Sequence, residues 1–286
     1  MRAAHPRVVL GLHRSRHEPA VLREALDLGV GALDTSSNYL GFRSHETLAR
    51  VAADLLPRFR VSTKVGYFPV PGRASEHSLD PERLRAAVER AARDLGREPD
   101  VVLLHNPEHS LSAGPEAERC ERLAAACRVL EEAASSGVCG SWGISSWDPR
   151  PLGALAVRLP RPDVLMVRCG LLVRTEVLES AELLAAKLGP SQLWGMSPFG
   201  GGAADSVWER FDPGVFLREA ERATVMQAAF RAACRLPEVD AVAVGTDNPV
   251  HLRELVGSLA LEVDEEVVIR YRRLLQEAAG RSQDRQ

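Results

Sequence analysis

The sequence predicts an α/β protein in which a single (β/α)8 TIM barrel takes up almost the whole chain of 286 residues. Eight short apolar segments alternate with longer helical patterns, and no glycine- or proline-rich linker divides them. The apolar segments are nearly continuous, as expected of parallel strands covered on both faces. A doubly wound sheet is the competing arrangement, but no predicted strand is followed by a GxGxxG turn. The barrel is therefore favoured.

The elements follow one another in a regular order. Apolar residues recur at helical spacing over Pro81–Leu95, and Asp80 before the first-turn proline is a suitable helix cap. The barrel is predicted to span residues 1–279, and residues 280–286 are predicted to form a flexible tail. The eight predicted strands are Val8–Leu12, Gly31–Asp34, Arg60–Val65, Val101–His105, Ser141–Ser145, Val164–Arg168, Leu193–Ser197 and Ala241–Gly245.

The composition argues against several classes of protein. The 36 lysines and arginines nearly balance 39 aspartates and glutamates, so no basic face for nucleic acid is indicated. No apolar run approaches the roughly 18–20 residues of a membrane helix, and the first residues show no secretory-type apolar region. Five cysteines without CxxC spacing predict reduced thiols and a cytoplasmic location.

Lysine is rare in this arginine-rich chain, with Lys64 and Lys187 as its two examples. A lysine is a compact charge that can move the pKa of a neighbour, whereas an arginine presents a broad planar fork. Lys64 ends the third predicted strand, at the position where barrel enzymes place catalytic groups. Lys187 lies near the end of a helical stretch and is predicted to be a surface residue.

Four ionisable side chains converge on the same end of the predicted barrel. Asp34, Lys64 and His105 end strands two, three and four, and Tyr39 lies in the loop after Asp34. The ammonium group of Lys64 is expected to lower the pKa of Tyr39 from about 10. Asp34 can hold Lys64, and His105 can orient a carbonyl oxygen. Each residue alone has an ordinary structural explanation, but the four together favour catalysis.

Six collinear segments resemble the aldo-keto reductase superfamily. They are LDTSSNYLGFRSHETLARV, VSTKVG, LLHNPE, SGVCGSWGISS, SPFGGG and VAVGTDNPVHLREL. The resemblance implies a catalytic tetrad of Asp34, Tyr39, Lys64 and His105, with Tyr39 as the general acid. It also implies NAD(P)H-dependent reduction of an aldehyde or ketone, with a small-molecule carbonyl compound as substrate.

The resemblance implies NADP(H) as the first expectation for the cofactor and NAD(H) as the alternative. Ser146 and Met166 stand where the family has Asn and Gln against the nicotinamide carboxamide, and Met196 replaces a stacking aromatic residue. Asp247 would repel a 2′-phosphate at the nucleotide end, where Arg253 could compensate. The cofactor-binding residues that the resemblance implies are Ser145, Ser146, Met166, Met196, Ser197, Phe199, Gly200, Gly201, Gly245, Thr246, Asp247, His251 and Arg253.

Loop residues beyond the strand ends are expected to line the substrate pocket. The short loop at Asn106–Pro115 predicts an open pocket that accepts a bulky substrate. No metal site is predicted, because His13 and His17 alone make a poor ligand set. The candidate substrate-binding residues are Phe42, Tyr67, Phe68 and Trp147.

The altered nicotinamide contacts leave two other functions open. The barrel could keep its acid–base tetrad and catalyse a non-redox isomerisation or elimination. It could also be a non-catalytic cofactor-binding partner subunit, although such a subunit has no need of Lys64 beside Tyr39. The natural substrate and the oligomeric state are left open.

Overall fold

A computed structural model of the protein describes residues 7–157, 159–202 and 206–283. Eight of its strands are parallel and close into a barrel in the order β1-β10-β9-β8-β7-β6-β3-β2, which confirms the predicted fold class. In chain order the strands within the described residues are β1 (Arg7–Gly11), β2 (Ala32–Asp34), β3 (Arg60–Val65), β4 (Tyr67–Val70), β5 (Arg73–His77), β6 (Val101–His105), β7 (Trp142–Ser146), β8 (Val164–Arg168), β9 (Gln192–Met196) and β10 (Ala241–Val244).

Helices surround the barrel. Asp80 caps α3 as predicted, because its side chain accepts a hydrogen bond from the backbone N–H of Arg83 at 2.9 Å. The helices of the described part of the chain are α1 (Pro19–Asp27), α2 (Ser44–Val51), α3 (Pro81–Leu95), α4 (Glu116–Ser135), α5 (Leu152–Leu155), α6 (Thr175–Leu188), α7 (Val207–Arg210), α8 (Val225–Ala233), α9 (Pro249–Ser258) and α10 (Glu265–Gln283).

Two features differ from the expected alternation of strand and helix. The segment between β3 and α3 forms an antiparallel hairpin, β4–β5, where the sequence predicted a loop, and Tyr67 pairs with His77 in it. Helix α10 continues to Gln283, so the first four residues of the predicted tail are helical. Residues 284–286 lie outside the described residues, and the flexibility of the tail stays a prediction.

The core has two layers, one inside the barrel and one between the strands and the helices. The outer layer is the larger and includes residues from most of the helices. Side chains alternate between the two faces of each strand, so the inner cluster identifies the inward-facing positions. The inner cluster comprises Val9, Val101, Leu103, Val164, Met166, Trp194, Ala241 and Ala243.

All five cysteines have free thiols, and four of them are buried. Among the described residues, no helix is both long and apolar enough to cross a membrane.

Candidate active site

The predicted tetrad assembles at the carboxyl end of the barrel. β2, β3 and β6 are neighbours in the sheet, and Asp34, Lys64 and His105 are at their carboxyl ends. Lys64 Nζ lies 2.5 Å from Asp34 Oδ2 and 3.4 Å from the Tyr39 hydroxyl. The geometry therefore joins the four residues that the sequence predicts to act together.

Lys64 is a fully buried cation whose three N–H donors all have partners. It donates to Asp34, to Tyr39 and, at 2.9 Å, to the backbone oxygen of Thr35. The second Asp34 oxygen accepts a hydrogen bond of 2.8 Å from Ser62 Oγ. Burial alone would lower the pKa of Lys64, but the charges and hydrogen bonds of Asp34 and Tyr39 together outweigh it and hold that pKa above its usual value. Lys64 therefore stays charged without solvent.

The Lys64 charge acts to lower the pKa of Tyr39 as expected, but the net shift of that pKa is upward. Burial raises the pKa of the phenol, and the opposing effect of the Lys64 charge is smaller. The sequence could not show this balance, because it depends on how far the folded protein shields the ring from solvent. The consequence suits an acid, since the phenol keeps its proton at neutral pH.

His105 is a buried, neutral imidazole. Burial holds the pKa of His105 well below its usual value, and the Lys64 charge lowers it further. Its Nδ1 lies 3.1 Å from Ser36 Oγ. His77 on β5 donates from Nε2 to the backbone oxygen of His105 at 2.7 Å, so the hairpin braces the end of β6.

Of the residues predicted to face a nicotinamide, Ser145, Ser146 and Met196 lie beside the tetrad at the ends of β7 and β9, whereas Met166 lies in the middle of β8. Ser145 pairs in register with His105, and its Oγ lies 3.9 Å from the Met196 sulfur. Ser146 is fully buried beside the Glu108 carboxylate and offsets part of the rise that burial causes in the pKa of Glu108, but its Oγ makes no hydrogen bond of regular geometry within the described residues. Met166 is fully buried in the inner cluster, below the partly buried Met196.

The loop after β9 has the backbone of a tight turn. Ser197 and Gly200 both have positive φ, of 56° and 70°. A Cβ added at Gly200 would lie 2.9 Å from Leu172, so this position requires glycine. Phe199 packs between Trp208 and Phe230 in the outer core, and Gly201 follows on the exposed side.

The turn after β10 is held by its own side chains. Asp247 accepts hydrogen bonds from Ser15 Oγ at 2.6 Å and from the Arg16 N–H at 3.1 Å. Arg253 on α9 pairs with Glu24 on α1 at 2.5 Å. Both charged residues thus connect the turn and α9 to the neighbouring loop and helix. Of the remaining predicted residues, Gly245 and His251 are exposed, and Thr246 accepts from Asn248 N.

A model of the aldo/keto reductase family matches residues 14–276 of the chain. The chain belongs to this family. The match includes the tetrad and the predicted cofactor segments, in agreement with the motifs that suggested the resemblance. Comparison with curated protein sequences gives no match.

Solved structures share the barrel of this aldo/keto reductase. A Pseudomonas aeruginosa protein assigned to the aldo-keto reductases is 26% identical, with a TM-score of 0.65 over 90% of this chain and 91% of that one. The holo form of a Bacillus halodurans aldo-keto reductase is 18% identical, with a TM-score of 0.71 over 94% and 91%. A Klebsiella pneumoniae aldo-keto reductase in complex with NADPH is 18% identical, with a TM-score of 0.70 over 96% and 92%. The last two support the fold alone.

The predicted substrate-binding residues of this aldo/keto reductase fall into two groups. The ring of Tyr67 lies 4.9 Å from that of His105, and Trp147 is 41% exposed at the end of β7. Phe42 is half-buried in the loop that carries Tyr39. Phe68 is not brought to the mouth, because it packs beneath the Arg83 guanidinium of α3 and against the outer core.

Sequence reasoning missed two residues of the mouth. His13 follows β1, and its ring lies 5.0 Å from that of Tyr39. Arg168 ends β8 in the inward-facing register of Val164 and Met166. The signal that identified Asp34, Lys64 and His105, a polar residue at the carboxyl end of a strand, was available for Arg168 as well.

His13 and His17 do not form a metal pair. The side chain of His17 is buried, with Nε2 2.7 Å from Ser44 Oγ. The described part of the chain contains no cluster of three or more His, Cys, Asp or Glu side chains that could hold a metal ion.

Proposed function

We propose that this aldo/keto reductase reduces an aldehyde or ketone to an alcohol with NADPH or NADH, using Tyr39 as the general acid. The observation that carries the proposal is the buried Lys64 cation, bonded to Asp34 and within 3.4 Å of the Tyr39 hydroxyl. A barrel that only binds a ligand does not need a buried charge pair beside a phenol, because such a pair is costly to desolvate.

The residues at the ends of β7 and β9 fit a nicotinamide nucleotide. The Ser146 hydroxyl makes no hydrogen bond of regular geometry with the described residues, so we expect it to bind a carboxamide beside Ser145. Met196 would cover the nicotinamide ring as a pliable apolar surface. The N–H groups of the turn at Gly200 would face the pyrophosphate. When bound, the reduced nicotinamide supplies the hydride that the carbonyl carbon accepts.

The side chains of the tetrad supply the proton. Tyr39 donates its hydroxyl proton to the carbonyl oxygen, and the nearby Lys64 charge stabilises the phenolate that remains. Asp34 keeps Lys64 protonated and in place. His105 is neutral, and in the tautomer that carries the ring proton on Nε2 it would donate that proton in a hydrogen bond to the same carbonyl oxygen. Tyr39 then recovers its proton from solvent.

NADP(H) is the first choice of cofactor and NAD(H) the second. The Klebsiella pneumoniae relative was solved with NADPH, which supports the first. The Asp247 carboxylate in the turn after β10 and the pairing of Arg253 with Glu24 support the second, since both reduce the positive charge offered to a 2′-phosphate.

Tyr39→Phe tests the role of the phenol. Loss of the general acid is expected to lower turnover of aldehydes about 10³-fold, and the dissociation constants of NADPH and NADH should stay within twofold of wild type. Tyr271→Phe is the matched control, because that hydroxyl donates to the backbone oxygen of Leu171 in the outer core. Retained turnover in Tyr39→Phe would contradict the assignment.

Measuring the binding of NADPH and NADH also tests the second candidate function, which is non-redox acid–base chemistry. Met166 stands where the family has an amide side chain, and it cannot replace the hydrogen bonds of that amide. This favours non-redox acid–base chemistry only if neither nicotinamide nucleotide binds. Quenching of tryptophan fluorescence by micromolar NADPH or NADH would remove the reason to consider non-redox chemistry. Turnover of an aldehyde panel would exclude a purely binding subunit.

A further inference from the structure

Arg168 places a cation at the mouth of the barrel. Val164 and Met166 on β8 face the inner cluster, and the alternation of side chains puts Arg168 on the same face, one layer nearer the mouth. It is half-buried, and its guanidinium carbon lies 4.6 Å from the centre of the Trp147 ring. Stacking on an aromatic face leaves the edge of the guanidinium free for hydrogen bonds.

The charge of Arg168 is not neutralised by the described residues. Its Nε is buried without a hydrogen-bond partner there, and the guanidinium forms no salt bridge with them. The carboxylate that acts on it most strongly belongs to Asp148, which already accepts from Arg150 Nε at 2.8 Å and Nη2 at 2.5 Å. Burial lowers the pKa of the Arg168 guanidinium, and the Asp148 charge offsets this effect only in part.

The neighbouring basic groups bring no anion to Arg168. The Lys64 charge is balanced by Asp34, and His105 is neutral. Arg174 at the start of α6 is exposed and adds its charge to that of Arg168. A half-buried arginine without a counter-ion favours a ligand that brings one, and a guanidinium edge matches a carboxylate in a bidentate geometry.

The position of Arg168 favours the substrate over the cofactor phosphates. The loop and the turn predicted to hold phosphates follow β9 and β10. The Arg168 guanidinium instead stacks on the ring of Trp147, which follows β7. Strand β7 is the neighbour of β6, which carries His105. An anion bound there lies on the same side of the mouth as the group that orients the carbonyl.

We propose that Arg168, supported by Trp147, binds a carboxylate on the substrate, so that the preferred substrates are aldehydes or ketones that also bear a carboxylate. This inference rests on the proposed reductase function. A charged hydrogen bond of this kind corresponds to about a 10- to 100-fold change in affinity. Arg168 is then a specificity-determining residue, and the tetrad does not depend on it.

The first experiment compares a matched pair of substrates, 4-carboxybenzaldehyde and its methyl ester. We expect wild type to favour the acid at least 10-fold in kcat/KM. Arg168→Gln should lower kcat/KM for the acid about 10- to 100-fold, mainly through KM, and leave the ester within twofold. Arg168→Lys keeps the charge and should lose less than Arg168→Gln. Arg174→Gln is the control and should change the ratio less than threefold.

Two other results of this experiment would overturn the inference. One is an acid-to-ester ratio that Arg168→Gln leaves unchanged. The other is a loss of NADPH affinity in Arg168→Gln with equal losses for both substrates, which would make Arg168 a cofactor residue. Thermal melting checks that each variant is folded, and Arg168→Lys provides the test if Arg168→Gln is not.

A binding measurement separates this inference from the proposed function. Calorimetry with benzoate and with benzamide needs no turnover. Wild type should bind benzoate more tightly, and Arg168→Gln should weaken benzoate about 10-fold without changing benzamide. If no aldehyde or ketone is reduced but this difference is found, the carboxylate site stands and the reductase assignment falls. If aldehydes are reduced and benzoate gains nothing from Arg168, the carboxylate site falls alone.

Discussion

The two sides of the barrel mouth differ in how their polar atoms are satisfied. At the ends of β2 and β3, all three donors of Lys64 and both oxygens of Asp34 have partners within the protein. At the ends of β7 and β8, Ser146 Oγ and Arg168 Nε are buried and have no partner in the described residues. The first side is complete without a ligand, whereas the second has hydrogen-bonding groups left to offer.

This difference indicates what each side contributes to stability and to binding. Buried polar groups are nearly always hydrogen-bonded in folded proteins, so unpaired ones call for an explanation such as a ligand. The tetrad side fixes its proton donor before any substrate arrives, which limits the reorganisation needed during the reaction. Substitutions on the tetrad side should therefore cost folding free energy, and those on the other side should cost binding.

Lys64→Met should have the largest effect on stability. Removing one partner of a buried ion pair leaves the Asp34 carboxylate uncompensated, and we expect the free energy of unfolding to fall by about 3–5 kcal/mol. Lys187→Met is the matched control, because Lys187 is exposed and, within the described residues, donates to the backbone oxygen of Gly153; it should cost less than about 1 kcal/mol.

Urea unfolding of the two lysine variants measures this difference. The double variant Asp34→Asn/Lys64→Met should recover part of the loss, since no unpaired charge remains. Equal stability of Lys64→Met and Lys187→Met would show that the pair is not isolated from solvent, and the contrast between the two sides would fail.

His45 gives a pH dependence of intermediate size on the tetrad side. Its ring is buried behind β3, where its Nε2 lies 2.7 Å from Thr63 Oγ1, and burial lowers the pKa of His45 to about 4 from 6.5. Between pH 6.5 and pH 4 the unfolded chain binds a proton that the folded one does not. The free energy of unfolding should therefore fall as the pH is lowered through this range, by about 3 kcal/mol for this residue.

Urea titrations at pH 7 and pH 4 of wild type and His45→Gln check this value. The variant lacks the titrating ring and should lose about 3 kcal/mol less than wild type between the two pH values. His251→Gln changes an exposed side chain of α9 and should behave as wild type. An identical pH dependence in His45→Gln would mean that the ring is hydrated in the folded state.

The strand ends could be predicted from the sequence because they depend on local pattern. Apolar runs marked the eight barrel strands, and the polar residue at the end of three of them identified most of the tetrad. The hairpin β4–β5 was missed, since its strands are short, partly polar and interrupted by proline and glycine. Local pattern therefore identified the barrel and the residue types of its reaction centre.

Properties that depend on enclosure or on distant partners could not be predicted in this way. The rise in the Tyr39 pKa reflects burial of the ring in the folded protein. Asp247 bonds to Ser15 and Arg16, more than 200 positions earlier in the chain, and Arg253 pairs with Glu24. The unpaired state of Arg168 likewise depends on Asp148 being bound by Arg150. None of these pairings has a signature in the local sequence.

One substitution made on both sides of the mouth gives the smallest but most direct comparison. Ser62→Ala removes the 2.8 Å hydrogen bond to the buried Asp34 carboxylate and should cost about 1–3 kcal/mol of stability. Ser146→Ala removes a hydroxyl that makes no hydrogen bond in the described residues, and we expect its cost to be below about 0.5 kcal/mol.

The order should reverse for cofactor affinity, measured by fluorescence quenching with NADPH and NADH. Ser146→Ala removes a donor available to the carboxamide and should weaken binding about 3- to 10-fold. Ser62→Ala should leave the dissociation constants within twofold, since Ser62 lies beneath Asp34 on the opposite side of the mouth. Ser146→Ala could instead lower stability and leave the affinities for NADPH and NADH unchanged. The Ser146 hydroxyl would then stabilise the fold and would not bind a nicotinamide.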